Sequence, residues 1–370
     1  MKTMTRIIIS GGGTGGHIFP AIAIANALAA LEPGIEILFI GAKGRMEMEK
    51  VPAAGYEIRG LWISGLQRRI TLKNLSFPFK VVSSLIKADR ILASFGPDVV
   101  IGVGGYASGP TLRAAVRRKI PTLIQEQNSY PGITNKLLAG KVDRICVAYE
   151  GMSRFFPSEK IIFTGNPVRQ DIIAPANKEE ALEHFHLDKN KKVVLIIGGS
   201  LGAGTINKSV LHHLYQQNRE DDFQLLWQTG NYHYNVISTN ENIQNREDVH
   251  IVPFIDRMDL AYTAADIIVS RAGAIAISEL CIIGKPVILI PSPNVAEDHQ
   301  TKNAEALVRK SAALMLKDQD AVEKLFDIVK QLAADNELQN VFSKEIRAMA
   351  KPEAASVIAQ ETMKLIRIKA

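Results

Sequence analysis

Short, almost wholly apolar runs recur along the chain, each followed by a polar or glycine-rich turn and then by a stretch with helical spacing. The runs Arg6–Ser10, Ile35–Ile40, Val99–Val103, Thr122–Gln125, Arg144–Ala148 and Ile161–Thr164 read as strands. After Pro167 the alternation restarts with Val193–Ile197, Gln224–Gln228, His250–Pro253, Ile267–Ser270 and Val287–Ile290. Helices are expected over Pro20–Leu31, Gly109–Arg118, Thr205–Gln217, Ala274–Ile283 and Gln300–Lys310, with an amphipathic helix over Ala354–Ile368. Such alternation is the signature of a parallel sheet wrapped by helices, an α/β class.

The two halves resemble each other. Ile7-Ile8-Ile9-Ser10-Gly11-Gly12-Gly13-Thr14-Gly15-Gly16 is echoed by Leu195-Ile196-Ile197-Gly198-Gly199-Ser200-Leu201-Gly202-Ala203-Gly204, each a strand, a glycine loop and a helix. Asp98-Val99-Val100 leading to Lys119-Ile120-Pro121 is echoed in the same order by Asp266-Ile267-Ile268 leading to Lys285-Pro286. The repeat predicts two doubly wound, Rossmann-like domains facing each other, with a site in the cleft at the carboxyl ends of the strands. Gly165-Asn166-Pro167 is a turn-forming boundary, giving domains 1–167 and 168–353, with the helix over 354–370 crossing back to the first.

A length of 370 residues fits this division, since one core rarely serves so long a chain. Hydrophobic residues at 46% and charged residues at 22% argue against long disorder. Cys146 and Cys281 lie far apart without metal-ligand spacing and read as reduced core thiols. Lys2 and Arg6 precede too short an apolar run for a signal peptide, which points to a cytoplasmic start. The uncharged stretch from Ile7 to Leu31 is broken by glycines that lipid could not solvate, so no transmembrane span is expected. A net charge of +6 fits anionic partners without choosing among them.

Gly11-x-Gly13-x-x-Gly16 matches a dinucleotide fingerprint, in which backbone N–H groups meet phosphate at a helix start. The acidic residue that would hold a ribose is missing after the second strand, where Lys43 and Arg45 stand instead. Those cations would suit a 2′-phosphate, so an NADP-dependent oxidoreductase is one reading, although it leaves the second glycine loop unexplained. A Walker loop is excluded because His17-Ile18 follows the last glycine. His17 stands at the first turn of the coming helix, whose dipole disfavours the imidazolium and keeps a base available; the bland alternative is a cap. Ser200 adds a hydroxyl to the N–H groups of the second loop, suiting a diphosphate. Glu279, in the helix after Ser270-Arg271-Ala272-Gly273, can accept both hydroxyls of a ribose, or is simply a solvated helix carboxylate. Gln300 and Asn303 offer amides to sugar hydroxyls, with Asp298 as a helix cap.

Taken together, Gly11-Gly12-Gly13-Thr14-Gly15-Gly16-His17, Gly102-Val103-Gly104-Gly105-Tyr106, Glu126-Gln127-Asn128, Gly165-Asn166-Pro167-Val168-Arg169, Gly198-Gly199-Ser200, Arg271-Ala272-Gly273-Ala274, Ser278-Glu279 and His299-Gln300-Thr301-Lys302-Asn303-Ala304 carry a resemblance. The chain resembles the MurG family of bacterial cell-wall transferases, which move N-acetylglucosamine from UDP-N-acetylglucosamine to undecaprenyl-pyrophosphoryl-N-acetylmuramyl pentapeptide (lipid I), giving lipid II. The resemblance implies a two-domain glycosyltransferase-B fold, inversion at the anomeric carbon, and no cofactor or essential metal. It implies that the backbone of Ile255 lies by the uracil, that Glu279 binds ribose, and that Ser200 and Arg169 meet the diphosphate. Gln300 and Asn128 would contact the donor sugar or its surroundings, with Thr14, Gly15, Gly16, Ala274 and Ile275 also on the donor. Gly13, Thr14, His17, Tyr106 and Asn128 would face the acceptor, with His17 the candidate base. The one Asp-x-Asp, Asp318-Gln319-Asp320, reads as an N-cap rather than a metal site. His299, beside the sugar-binding glutamine, has no role implied.

Between Arg68 and Arg90 six cations, Arg68, Arg69, Lys73, Lys80, Lys87 and Arg90, stand against Asp89 and are interleaved with Leu66, Leu72, Leu75, Phe77, Phe79 and Leu85. Such mixing suits the anionic surface of a membrane to which the enzyme would bind peripherally from the cytoplasm. Arg113, Arg117, Arg118 and Lys119 would extend the patch. No nucleic-acid motif accompanies it, so nucleic acid is not expected as a partner.

Overall fold

The computed structural model describes residues 4–64, 76–174, 176–199, 202–216, 221–244, 246–295 and 298–369. The chain forms two compact units, one of Met1–Arg169 with Lys351–Ala370, the other of Gln170–Ala350.

The first unit holds β1 (Arg6–Ser10), β2 (Glu36–Ala42), β3 (Glu57–Leu61), β4 (Val99–Gly102), β5 (Thr122–Glu126), β6 (Arg144–Val147) and β7 (Ile161–Phe163). They form one parallel sheet in the order β3-β2-β1-β4-β5-β6-β7. The second unit holds β8 (Lys192–Ile197), β9 (Phe223–Gln228), β10 (Val249–Val252), β11 (Ile267–Ser270), β12 (Val287–Leu289) and β13 (Leu314–Met315), again all parallel, in the order β10-β9-β8-β11-β12-β13.

Each sheet is covered on both faces, which is why its strands are continuously apolar. Side chains alternate across a strand, so Ile7 and Ile9 join one apolar cluster and Ile8 the other. Val193 and Leu195 are divided in the same way from Val194 and Ile196. Both cysteines are buried among these residues, and burial pushes the Cys281 thiol up to about 12.

The first helix runs Gly15–Leu31, not from Pro20 as the spacing predicts. Two glycines are poor helix formers, but the helix ends the β1 loop and its apolar face is fully buried, so packing outweighs propensity. Ile18, Ala21, Ile24, Ala25 and Leu28 share a cluster with Ile358, Ala359, Met363 and Leu365 of the Ala354–Lys369 helix, which therefore belongs to the first unit.

Residues Phe77–Phe95 also form a helix, closed by Gly96 at φ 63°. Its buried positions, Ser84, Ala88, Ile91, Leu92 and Phe95, follow helical spacing. The acid in this segment, Asp89, is paired with Arg118 at 2.8 and 2.7 Å, and that hydrogen bond holds its carboxyl below the ordinary range. Among the described residues no helix is long and apolar enough to cross a membrane.

Candidate active site

In both sheets the strand order reverses direction beside the first strand of the unit, between β1 and β4 and between β8 and β11. Crevices at such switch points are where doubly wound sheets take ligands. Both glycine loops leave their sheets there.

In the first unit the loop after β1 turns through Gly12 at φ +139° and Gly13 at φ +91°, conformations that side chains rarely adopt. It packs directly on the loop after β4: a Cβ on Gly105 would lie 2.1 Å from the Gly12 carbonyl oxygen. Glu47, 1% exposed, accepts from Gly13 N at 2.9 Å and from Ala42 N at 2.9 Å. His17 lies in the first helical turn. Its Nδ1 is 3.2 Å from Thr14 Oγ1, and its ring lies so close over Gly104 that a Cβ there would meet Nε2 at 2.8 Å. The imidazole is thus held between two loops at the switch point. Tyr106, 48% exposed, stands beside Gly13.

The carboxyl end of β5 is braced by amides and one carboxylate. Gln127 Nε2 donates to Val103 O at 2.7 Å and bonds Gln125 Oε1. Gln125 Nε2 donates to Asn166 Oδ1 at 2.9 Å, and Asn166 Nδ2 returns to Gln127 O at 3.0 Å. This buried ring ties the Gly165-Asn166-Pro167 turn to the β4 and β5 ends, three residues before the half-buried Arg169. Glu126 is buried and accepts from Asn128 N at 3.0 Å, Asn128 Nδ2 at 3.3 Å, Gly132 N at 3.2 Å and Asn135 Nδ2 at 2.8 Å. Burial pushes its carboxyl up, and these four donors oppose that. Asn128 is therefore fixed in place by its neighbour two residues back.

In the second unit Gly202 N donates to Gly199 O at 2.9 Å; Ser200 and Leu201 lie outside the described residues. Gln228, at the end of β9 and 4% exposed, donates to Gly199 O at 2.9 Å and accepts from Ile255 N at 2.9 Å. The Ile255 N–H is thus engaged inside the protein. The Ala274–Ile283 helix begins with buried Ala274 and half-buried Ile275. Glu279, 8% exposed, is not the solvated carboxylate of the bland reading, for Tyr262 Oη donates to its Oε2 at 3.1 Å. Gln300 Oε1 accepts from Ser292 N at 2.8 Å, so its amide oxygen pins the 291–295 loop.

Several expectations are corrected. Asn303 is fully buried with Nδ2 3.5 Å from Ala272 O, where it faces the protein interior instead of a sugar. Asp320 makes no side-chain cap, and Asp318 instead accepts from Arg271 Nη1 at 2.5 Å and from Thr205 Oγ1 at 2.8 Å. Those bonds link the β11 loop to the helix after the second glycine loop. Asp298 makes no cap to a backbone N–H and accepts instead from Thr301 Oγ1 at 2.7 Å. In the basic segment Arg68, Arg69 and Leu75 lie outside the described residues; Phe79 is 73% exposed, Phe77 is half-buried, and Lys80 Nζ bonds Ser64 Oγ at 3.1 Å.

Sequence reasoning passed over Glu47, Gln127 and Gln228. A signal existed for two of them: Gln127 and Gln228 are polar residues at or just beyond the ends of strands otherwise largely apolar, where a parallel sheet holds its ligands. Glu47, in a run of charged and sulfur-containing residues, carried none.

The Glycosyltransferase family 28 N-terminal domain matches residues 7–147 and the Glycosyltransferase family 28 C-terminal domain matches residues 193–360. The chain is 53% identical over 365 residues to the UDP-N-acetylglucosamine--N-acetylmuramyl-(pentapeptide) pyrophosphoryl-undecaprenol N-acetylglucosamine transferase of Flavobacterium psychrophilum, covering 98% of each. It is 54% identical over 362 residues to the protein of that name from Cytophaga hutchinsonii, covering 98% of this chain and 97% of the relative. Among solved structures, the crystal structure of Acinetobacter baumannii MurG superposes with a TM-score of 0.76 at 27% identity, covering 97% of this chain and 99% of that one. The UDP-GlcNAc 2-epimerase of Neisseria meningitidis bound to UDP-GlcNAc shares the fold, with a TM-score of 0.66 at 17% identity over 98% of this chain and 100% of that one.

Proposed function

The chain belongs to glycosyltransferase family 28, and from that premise we propose that it transfers N-acetylglucosamine from UDP-N-acetylglucosamine to undecaprenyl-pyrophosphoryl-N-acetylmuramyl pentapeptide in peptidoglycan synthesis. The observation that carries this is identity above 50%, end to end, with relatives named for that transfer. The oxidoreductase reading finds no support. At the end of β2, where a ribose 2′-phosphate would bind, the carboxylate of Glu47 bonds Ala42 N and would repel it.

In this reading the second unit takes the donor. Glu279 and the Ile255 carbonyl hold the nucleoside, Ala274 and Ile275 line it, and Gln300 contacts the sugar. Ser200 and the start of the Gly204–Gln216 helix meet the departing diphosphate, whose growing charge the helix dipole stabilises. Gly13, Thr14, Gly15, Gly16, Tyr106 and Asn128 form the acceptor side in the first unit. Inverting transfer requires the acceptor hydroxyl to lose its proton as it attacks from the face opposite the diphosphate. His17 stands beside that set as the candidate base, and the contact of its Nδ1 with Thr14 Oγ1 at 3.2 Å orients the imidazole.

The enzyme works on the cytoplasmic face of an anionic membrane as a peripheral protein. Support comes from the Phe77–Phe95 helix, which exposes Phe79 at 73%, Val82 at 56% and Ile86 at 50%. They line a groove of about 1090 Å³ bordered by the cations Arg59, Lys87 and Arg90.

The test is an assay with UDP-N-acetylglucosamine and a short-chain lipid I analogue, in which the wild type should form the disaccharide product and be stabilised thermally by UDP-N-acetylglucosamine but not by NADPH. His17→Ala should lower kcat by roughly 10²–10⁴-fold with unchanged donor affinity and lose the acidic limb of the pH–rate profile. A variant that keeps kcat and loses only acceptor KM would make His17 a binding residue.

A further inference from the structure

Glu47 is a buried carboxylate that neither the sequence motifs nor the roles proposed above include. It opens the short Glu47–Ala53 helix, and its two oxygens divide between the loop after β1, through Gly13 N, and the end of β2, through Ala42 N, both at 2.9 Å. The surrounding glycines are a second, independent sign that the chain is built around it. A Cβ on Gly12 would lie 2.3 Å from its carboxylate carbon, and one on Gly41 would lie 2.6 Å from its Cγ. On the far side of the loop, Gly105 leaves just enough room for the Gly12 carbonyl.

This arrangement departs from a phosphate-binding glycine loop in one respect that bears on chemistry. In such a loop the N–H groups all point toward the anion, whereas here the Gly13 N–H points inward to a carboxylate. An anion approaching Gly12 and Gly13 would lose that donor and face a like charge. At the start of the Gly15–Leu31 helix the His17 and Ile18 N–H groups donate to Thr14 O at 3.1 and 3.2 Å, so the Gly15 and Gly16 N–H groups, which by position precede any intrahelical acceptor, are the donors left for an anion.

Building on the acceptor-side reading given above, we propose that Glu47 is a positioning residue: it locks the Gly12–Gly13 backbone and steers the acceptor phosphate away from those glycines, onto the Thr14–Gly16 end of the loop beside His17. The carboxylate never touches substrate. It acts through the main chain, and the cost of burying its charge is offset by the two charge-assisted N–H bonds it receives.

The test uses the full-length protein with Glu47→Gln and Glu47→Asp. Glutamine has one acceptor oxygen for two N–H donors, while aspartate keeps the charge but is a methylene too short to bridge both. Both should therefore lower kcat/KM for the lipid I analogue by on the order of 10- to 100-fold, the scale expected for a small misplacement of reacting groups. UDP-N-acetylglucosamine affinity, measured by titration calorimetry, should stay at the wild-type value. A merely structural role would move both quantities together through the folded fraction. Wild-type acceptor kcat/KM in either variant, or parallel loss of donor affinity, overturns the proposal. Should neither variant fold, amide exchange in the wild type decides: Gly13 and Ala42 N–H groups should exchange slowly without ligand, and exchange at open-loop rates for Gly13 overturns it. A wild type that transfers no sugar to the analogue would instead overturn the functional reading itself.

Discussion

Glu279 shows how burial changes what a residue can do. A carboxylate on a helix is ordinarily solvated, yet this one is 8% exposed and receives a hydrogen bond from Tyr262 Oη at 3.1 Å. In the proposed donor role, a carboxylate held that way presents a fixed charge to ribose hydroxyls and loses little freedom when they bind. Glu279→Ala should raise donor KM by roughly 10- to 100-fold, the equivalent of losing hydrogen bonds to a charged group worth about 1.5–3 kcal/mol. The same change leaves the buried Tyr262 hydroxyl without this acceptor, which destabilises the fold by about 1–3 kcal/mol. Tyr262→Phe added to Glu279→Ala should recover much of that stability and none of the donor affinity. Recovery of donor KM in the double variant would show that Glu279 acts only as a partner for Tyr262. Asn303, by contrast, looked equally suited to a sugar in sequence and is wholly buried. Amide chemistry was readable in the chain; depth was not, because Gln300 and Asn303 share one helix face by spacing, yet Gln300 is half-buried and Asn303 fully buried.

Strands were legible and many helices were not, for a physical reason. A strand covered on both faces must be apolar throughout, so β1, β8 and β11 stand out as unbroken runs. The strand β3, Glu57–Leu61, escaped because it is the edge of its sheet and carries Glu57 and Arg59. The helix Phe77–Phe95 escaped for a different reason: its exposed face carries Phe79, Val82 and Ile86, which blurs the polar half of an amphipathic pattern. That defect in pattern is what the proposed membrane contact rests on, since three large apolar side chains on one exposed face beside Lys87 and Arg90 suit a non-aqueous neighbour rimmed by anions. Phe79→Ser with Ile86→Ser should reduce sedimentation with anionic vesicles while sparing turnover of a water-soluble acceptor. High salt should weaken wild-type binding only in part, because apolar insertion is not screened. Equal vesicle binding by variant and wild type would remove this helix from the membrane-facing surface.

At the scale of the whole molecule the chain makes two similar sheets, but it does not divide them equally. The second unit is continuous, Gln170–Ala350, and both of its apolar clusters draw only on residues inside it. The first unit is discontinuous: one of its clusters is completed by Ile358, Ala359, Met363 and Leu365, more than 180 residues after the unit's main segment ends at Arg169. The small residues Ala21 and Ala25 on the Gly15–Leu31 helix let that last helix approach closely. Because Thr14 and His17 lie at the start of the same helix, the chain's final segment packs behind the loop proposed to face the acceptor. A fragment of residues 170–350 should therefore fold cooperatively and retain UDP affinity, whereas one of residues 1–169 should expose apolar surface and bind a hydrophobic dye. Adding residues 351–370 as a separate peptide should restore a cooperative transition to the latter. In the full chain, Ile358→Ala should cost the first unit about 2–5 kcal/mol, the range for emptying a fully buried isoleucine site, and lower kcat without altering donor affinity. A 1–169 fragment as stable as the same unit in the intact protein would show that the returning helix merely covers a core complete without it.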